Sequence, residues 1–360
     1  MSRVFNFSAG PAVLPLPVLE RAAAELVEYR GAGMSVMEMS HRGKAFEEIF
    51  ARTKQAVIDL LGVPEDYQVL FLQGGATAQF AMVPMNLLGS VGKADYVNTG
   101  VWSKKAIAEA RKFGSVNVAA SSEAEGFHRV PRQDELALDP AAAYCHITSN
   151  NTICGTEYPY TPDTGNVPLV ADASSNILSR PLDVARYGLI YAGAQKNLGP
   201  SGVTLVVMRK DLLGRAGAGV PTAFDYRIHA EADSMYHTPP TYAIYILGLV
   251  CDWLRDQGGV TAIEQVNIRK AQRLYACIDG SDFYHCPTEP ESRSRMNVPF
   301  TLANPDLDAT FLADAAAAGL VFLKGHRLVG GMRASLYNAM PEAGVDALVS
   351  FLQEFERRQG

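Results

Sequence analysis

Few cysteines and almost no tryptophan mark this chain: 5 Cys and 2 Trp in 360 residues. The cysteines (Cys145, Cys154, Cys251, Cys277 and Cys286) are odd in number and form no CxxC pair. That excludes a disulfide framework and a zinc module, and leaves free thiols in a reducing cytoplasm as the expectation. Basic charge is also in deficit. Lys and Arg number 32 against 38 Asp and Glu, a net charge of −6, so the chain lacks the cationic surplus that nucleic acid or an anionic membrane selects. No apolar run approaches the roughly 18 residues of a membrane span. The longest, Tyr242–Cys251, stops at Asp252. The N-terminal stretch has no apolar leader core, so the sequon at Asn150–Thr152 is expected to stay unmodified. With 48% apolar residues, disordered and low-complexity classes are excluded as well.

The common cofactor and hydrolase motifs are missing too. There is no GxGxxG, HExxH or GxSxG, and the segment around Lys93 lacks the spacing of a phosphate loop. The seven histidines show no close metal spacing, so no metal is expected, and His128, His146, His229 and His285 read as structural or solvated.

What is present is alternation. Strand-like runs (Gln68–Leu72, Ala94–Asn98, Ala143–Thr148, Pro168–Ala171, Leu189–Ala192, Val203–Met208) alternate with helix-like stretches (Thr53–Leu61, Thr77–Leu88, Ser103–Phe113). This pattern predicts an α/β domain with a mostly parallel sheet, its site at the strand C-terminal ends. Two helices, Thr241–Gln257 and about Val260–Ile278, lead into a strand–helix–strand–strand–helix pattern: Met296–Leu302, Leu307–Ala318, Val321–Leu323, Met332–Tyr337 and Val345–Arg358. That pattern predicts a small α+β domain beginning near residue 260.

Four features could carry chemistry. Gln73-Gly-Gly-Ala-Thr77, between a strand and a helix, is either a tight turn or a phosphate cup built on helix N-terminal amides. Asp172 ends a buried strand, where a turn or cap is the ordinary reading. Lys196 follows the next strand and would normally be solvated. If the two strands are parallel neighbours, Asp172 and Lys196 share one rim, as pyridoxal phosphate chemistry requires: a lysine for the Schiff base, an acid for the pyridine nitrogen and a phosphate cup. Finally, His41-Arg42 and His326-Arg327, the second followed by Arg333, repeat a dipeptide suited to binding phosphate and carboxylate.

These residues lie in longer stretches: Phe5–Ala12, Met39–Gly43, Phe71–Ala76, Tyr191–Asn197, Tyr236–Thr241 and Gly325–Ser335. In order and nearly end to end, they resemble the phosphoserine aminotransferase family, class V of the fold-type I pyridoxal-phosphate enzymes. The resemblance implies a seven-stranded, mostly parallel sheet in a large domain (16–260). It also implies a small α+β domain (261–360) on which residues 1–15 pack, in a cytoplasmic homodimer whose active sites are completed across the interface. The implied reaction is reversible transamination between 3-phosphohydroxypyruvate and L-glutamate in serine biosynthesis, and in some bacteria also on a phosphorylated hydroxythreonine in pyridoxine synthesis. The resemblance gives Lys196 the Schiff base, Asp172 the ring nitrogen, Trp102 a stacking role and Thr152 a polar contact at the ring. Ala76, Thr77, Gln195 and Ser174 would hold the cofactor phosphate, with His237 and Thr238 supplied by the neighbouring subunit. Arg333 would take the substrate α-carboxylate, and His41, Arg42, His326 and Arg327 the distal anion. The chain departs from the family's usual Asn at His237 and from its frequent Arg or Ser at Thr77, where a hydroxyl and a helix amide are kept. Two alternatives differ by simple features. A cysteine desulfurase needs a mobile Cys, absent from Lys324–Gly331, and a non-catalytic scaffold would lack Lys196 or Asp172.

Overall fold

Seven strands, most of them near-continuous apolar runs, form the central sheet of the computed structural model, which describes residues 3–360. They are β1 (Tyr67–Leu72), β2 (Lys93–Asn98), β3 (Ser115–Ser121), β4 (Cys145–Thr148), β5 (Leu169–Asp172), β6 (Leu189–Gly193) and β7 (Thr204–Arg209), in the spatial order β1-β7-β6-β5-β4-β2-β3. Strands β6, β5, β4, β2 and β3 run parallel, and β7 is antiparallel to both of its neighbours. Burial of both faces explains why these strands read as unbroken apolar runs rather than alternating ones.

Register and connection place the site. Thr148 pairs with Asp172, and Asp172 with Tyr191, so three strand ends share one rim. The chain passes from β2 out to the edge strand β3, then returns to lay β4 on the other side of β2. Strand order therefore reverses between β2 and β4, which opens a crevice at their C-terminal ends.

One face of the sheet is covered by α1 (Lys44–Leu61), through Phe46, Ile49 and Phe50, and by α4 (Thr241–Asp256), through Ile244 and Leu247. The other is covered by α2 (Gly75–Leu87) and α3 (Val101–Ala110), through Phe80, Val83 and Ile107. A third apolar core lies under a small antiparallel sheet of Tyr284–His285, Asn297–Leu302 and Met332–Ser335. Helix α5 (Gly259–Asp279) contributes Ile263 to the first core and Leu274 and Ile278 to the third. The N-terminal pair Phe5–Asn6 lies parallel to Leu320–Val321, and Phe7 enters the third core. Residues 1 and 2 of the expected N-terminal segment fall outside the described residues.

Several boundaries differ from expectation. The strand expected at Val321–Leu323 pairs only at Leu320–Val321, because Phe322 turns the chain with φ 63° and is 69% exposed. The strand expected at Met332–Tyr337 ends at Ser335, where residues 336–340 fold into a turn. Strand β3 and the helix Leu16–Ala24 are additions. The first is a half-exposed edge, and the second is a short helix with Pro15 at its N-cap and Pro17 in its first turn.

Candidate active site

At the rim of β4, β5 and β6 lies an open cleft of about 1180 Å³, walled by Trp102, Thr152, Asp172, Lys196, His326 and Arg333 among others. Lys196 follows β6 by three residues. Its Nζ donates to Thr152 Oγ1 at 2.8 Å and to Ser175 Oγ at 2.6 Å. Burial pushes this amine down to about 8, with the Asp172 carboxylate opposing and the Arg333 cation assisting the fall. Asp172 is 5% exposed, and its Oδ1 accepts the amide N–H of Ser174 at 3.0 Å. Burial raises its carboxyl above the usual range, against the hydrogen bonds from Ser174 and the charge of Lys196. The Gly193 amide donates to Ser174 Oγ at 3.0 Å, which ties the ends of β5 and β6 together.

The N-terminal segment closes over the lysine, a contribution the sequence reading did not assign. The Gly10 backbone passes so near that a Cβ there would lie 3.5 Å from Lys196 Cγ, and Ala12 N donates to Gln195 O at 2.8 Å. The Phe5–Ala12 stretch, in which Asn6 and Ser8 interrupt the apolar residues before Gly10-Pro11, carries no local signal of this contact. Ser175, also unassigned, was visible only as one of the small polar residues after Asp172.

Across the cleft, Gly74 and Gly75 (φ 93° and 66°) turn β1 sharply into α2. The first helical bond here runs from Ala78 N to Gly74 O, so the amides of Gly75, Ala76 and Thr77 precede it and face the cleft mouth unused. This is an anion cup of backbone N–H groups, with Ser174 and Gln195 on the facing wall.

Trp102, in the first turn of α3, has a buried Nε1 without a partner. Asn151 Nδ2 donates to Thr99 O at 2.9 Å and occupies the space a Cβ on Gly100 would need, only 2.1 Å away. This contact brings the Trp102 turn against the Thr152 turn. Arg333 reaches the carbonyl of Thr152 from Nη1 at 3.4 Å, its Nε is buried and unpartnered, and burial lowers its pKa. His326 lines the cleft too, its pKa lowered by burial and by the charges of Arg333, Arg327 and Lys105.

Five expected residues stand outside the cleft walls of this single chain. His41 and Arg42 precede α1, Arg327 is exposed beside His326, and His237 and Thr238 follow the short helix Tyr226–Glu231. Thr238 is tied back to the cup by its carbonyl, which accepts Gln73 Nε2 at 2.9 Å. Among the described residues no cysteine lines the cleft and no group of three or more His, Cys, Asp or Glu could hold a metal.

Comparison with known proteins agrees with this arrangement. The family model for class-V aminotransferases matches residues 4–348. A phosphoserine aminotransferase of Nitrosomonas europaea is 60% identical over 99% of both chains. The solved phosphoserine aminotransferase of Bacillus circulans subsp. alkalophilus superposes with a TM-score of 0.98 at 49% identity, covering 99% of each chain. A PLP-bound phosphoserine aminotransferase from Trichomonas vaginalis gives 0.93 at 42%, covering 98% of this chain and all of the other. The chain belongs to the class-V aminotransferase family, within its phosphoserine aminotransferase group.

Proposed function

We propose that this protein is a pyridoxal-phosphate-dependent aminotransferase that interconverts 3-phosphohydroxypyruvate and L-glutamate with O-phospho-L-serine and 2-oxoglutarate. The observation that carries the reading is the pairing, on one rim, of a desolvated lysine with a buried carboxylate, opposite a cup of free helix amides. The residues fit the cofactor. Ala76, Thr77, Ser174 and Gln195 would hold its phosphate, Asp172 its ring nitrogen, Trp102 its ring face, Thr152 its polar edge and Lys196 its carbonyl carbon. When bound, pyridoxal phosphate supplies an electrophilic carbonyl and a ring that takes up the electron pair left on Cα.

The protein's own groups do the rest. Asp172 keeps a proton on the nitrogen it faces. Lys196, with its amine near 8, is neutral often enough at physiological pH that it would take the proton from substrate Cα and deliver it two atoms along, to the carbon that was the cofactor's carbonyl. Arg333, whose Nε is buried and free, would hold the α-carboxylate and so orient the Cα–H bond toward Lys196. His326 and Arg327 would take the distal phosphate, together with His41 and Arg42 from a second subunit. His237 and Thr238 would likewise cross to the neighbouring cofactor phosphate in a homodimer. The cleft lies between the sheet domain (16–260) and the C-terminal domain (261–360), so closing the two would exclude water. The same reading places the enzyme in the cytoplasm.

The test is a coupled assay of phosphoserine with 2-oxoglutarate beside unphosphorylated serine. Ping-pong kinetics and a preference of at least about 100-fold in kcat/KM for phosphoserine are expected. Equal rates on the two amino donors would remove the distal anion site from the proposal.

A further inference from the structure

Lys270 is the most deeply buried charged group outside the cleft, with no exposed surface. It lies on α5, and its Nζ donates to three carbonyls: Leu336 at 3.1 Å, Tyr337 at 2.7 Å and Met340 at 3.1 Å. All three ammonium protons are used, and no carboxylate is bonded to it. The one carboxylate whose charge reaches it, Glu342, is bonded to Arg269 instead. Burying an ammonium without a counter-ion is costly, and the environment pushes this one down to about 7. An apolar side chain would fill the same volume without that cost, so the three carbonyls, which need a donor, are the reason for an amine here.

Those carbonyls belong to the turn 336–340, where the parts of the site meet. The strand entering the turn carries Arg333. Tyr337 Oη donates to the Ala9 carbonyl at 2.6 Å, and Ala9 adjoins the Gly10 that packs on the stem of Lys196. The Asn338 amide N–H donates to Asn197 Oδ1 at 2.9 Å, next to Lys196 in the chain, and Asn338 Nδ2 donates to the Leu178 carbonyl at 2.9 Å. Asn267, one turn before Lys270 on α5, donates to Asn338 Oδ1 at 2.9 Å and to the Ser179 carbonyl at 3.0 Å. The turn therefore bonds the strand of Arg333 to the loop of Lys196, and Lys270 fastens the turn to α5.

We infer that Lys270 is a positioning residue for transamination: by clamping the 336–340 turn it sets the spacing between Arg333 and Lys196, and with it the seating of the substrate carboxylate. It touches neither substrate nor cofactor and acts through backbone. The inference rests on Arg333 being the carboxylate anchor. Loss of the amine leaves the buried Leu336 and Met340 carbonyls without a donor and the Tyr337 carbonyl with only the Met340 amide at 3.2 Å, and the turn must shift to reach other partners.

The test uses the holoenzyme of Lys270→Met and of Lys270→Gln, which keeps two of the three donors, with Arg333→Lys as a control. Succinate, a non-reacting dicarboxylate, is titrated against the visible absorbance of the loaded enzyme, and KM and kcat are measured for glutamate and phosphoserine. The expected result is a rise of about tenfold in the succinate dissociation constant and in both KM values, with kcat reduced less than threefold. The Gln variant is expected to lie between wild type and Met, and it decides the matter if the Met variant does not fold. Unchanged succinate binding in the Lys270 variants, with weakened binding in Arg333→Lys, would overturn the positioning role alone, even if the melting temperature falls. Unchanged binding in Arg333→Lys would overturn the anchor reading, and this inference with it.

Discussion

At the level of single residues, the chemistry comes from where burial places two ordinary side chains. Lys196 and Asp172 are unremarkable in sequence, and only their shared rim makes each shift the other. Between pH 8 and 10.5 the unfolded chain holds a proton on Lys196 that the folded protein has shed. Stability from this site therefore grows as pH rises, is complete above 10.5, and is lost as pH falls through about 8. Lys196→Met removes that penalty. The cofactor-free variant is expected to be more stable than cofactor-free wild type at pH 7 by about 1–3 kcal/mol, taking roughly 1.4 kcal/mol per pKa unit, with the gap closing toward pH 10.5. Urea unfolding at several pH values measures it, and a gap that does not change with pH would show that the amine is not desolvated. These two residues were legible only as a pair: alone each reads as a turn, a cap or a solvated lysine, and it is two successive strand ends on one rim that joins them. Ser175 and Gly10 were not, since nothing in Ser-Ser or Gly-Pro says that a distant lysine packs there.

The secondary-structure elements show a similar division. Strands β1 and β4 to β7 could be read from sequence because burial on both faces leaves mainly apolar runs, and β2 from its buried Ala94, Tyr96 and Val97. The edge strand β3 could not, since its Ser115–Ser121 sequence is half exposed and looks like loop. The first two residues of the 336–340 turn were read as strand because the buried Leu336 and Tyr337 continue the apolar pattern, while the lysine bonded to their carbonyls lies 66 residues before Leu336. Gly100 is an element-level constraint of the same hidden kind. It begins α3 at φ 149°, with Asn151 seated where a side chain would go. Gly100→Ala must expel Asn151 from the Thr99 carbonyl and part the Trp102 turn from the Thr152 turn. A loss of about 2–3 kcal/mol in stability is expected, as for overpacking in a tight core. A weaker cofactor dissociation constant, read by absorbance titration of the apoprotein, should accompany it. Wild-type values for both would mean that the Asn151 contact does not hold α3 in place.

For the whole molecule, the net charge of −6 conceals a local reversal: Lys196 and Arg333 converge on one cleft beside the neutral His326, and Arg327 stands at its edge. The two His-Arg dipeptides looked like halves of one anion site, yet only His326 lines the cleft of its own chain. His41 and Arg42 stand at the start of α1, where no local geometry turns them inward. Sequence order could not show this, because a residue serving a neighbouring subunit carries the same local signature as a surface residue. If Arg42 acts in the partner's cleft, the Lys196→Ala and Arg42→Ala proteins complement each other. In a mixed dimer, the cleft of the Arg42→Ala chain keeps its Lys196 and receives an intact Arg42 from the other chain, while the second cleft lacks both. Random mixing after mild unfolding should then restore about a quarter of wild-type activity, because half of the dimers are mixed and each has one complete site. If Arg42 served its own cleft, every site in the mixture would lack one residue or the other. Activity would then stay at the average of the two parent proteins, and the homodimeric site would have to be redrawn.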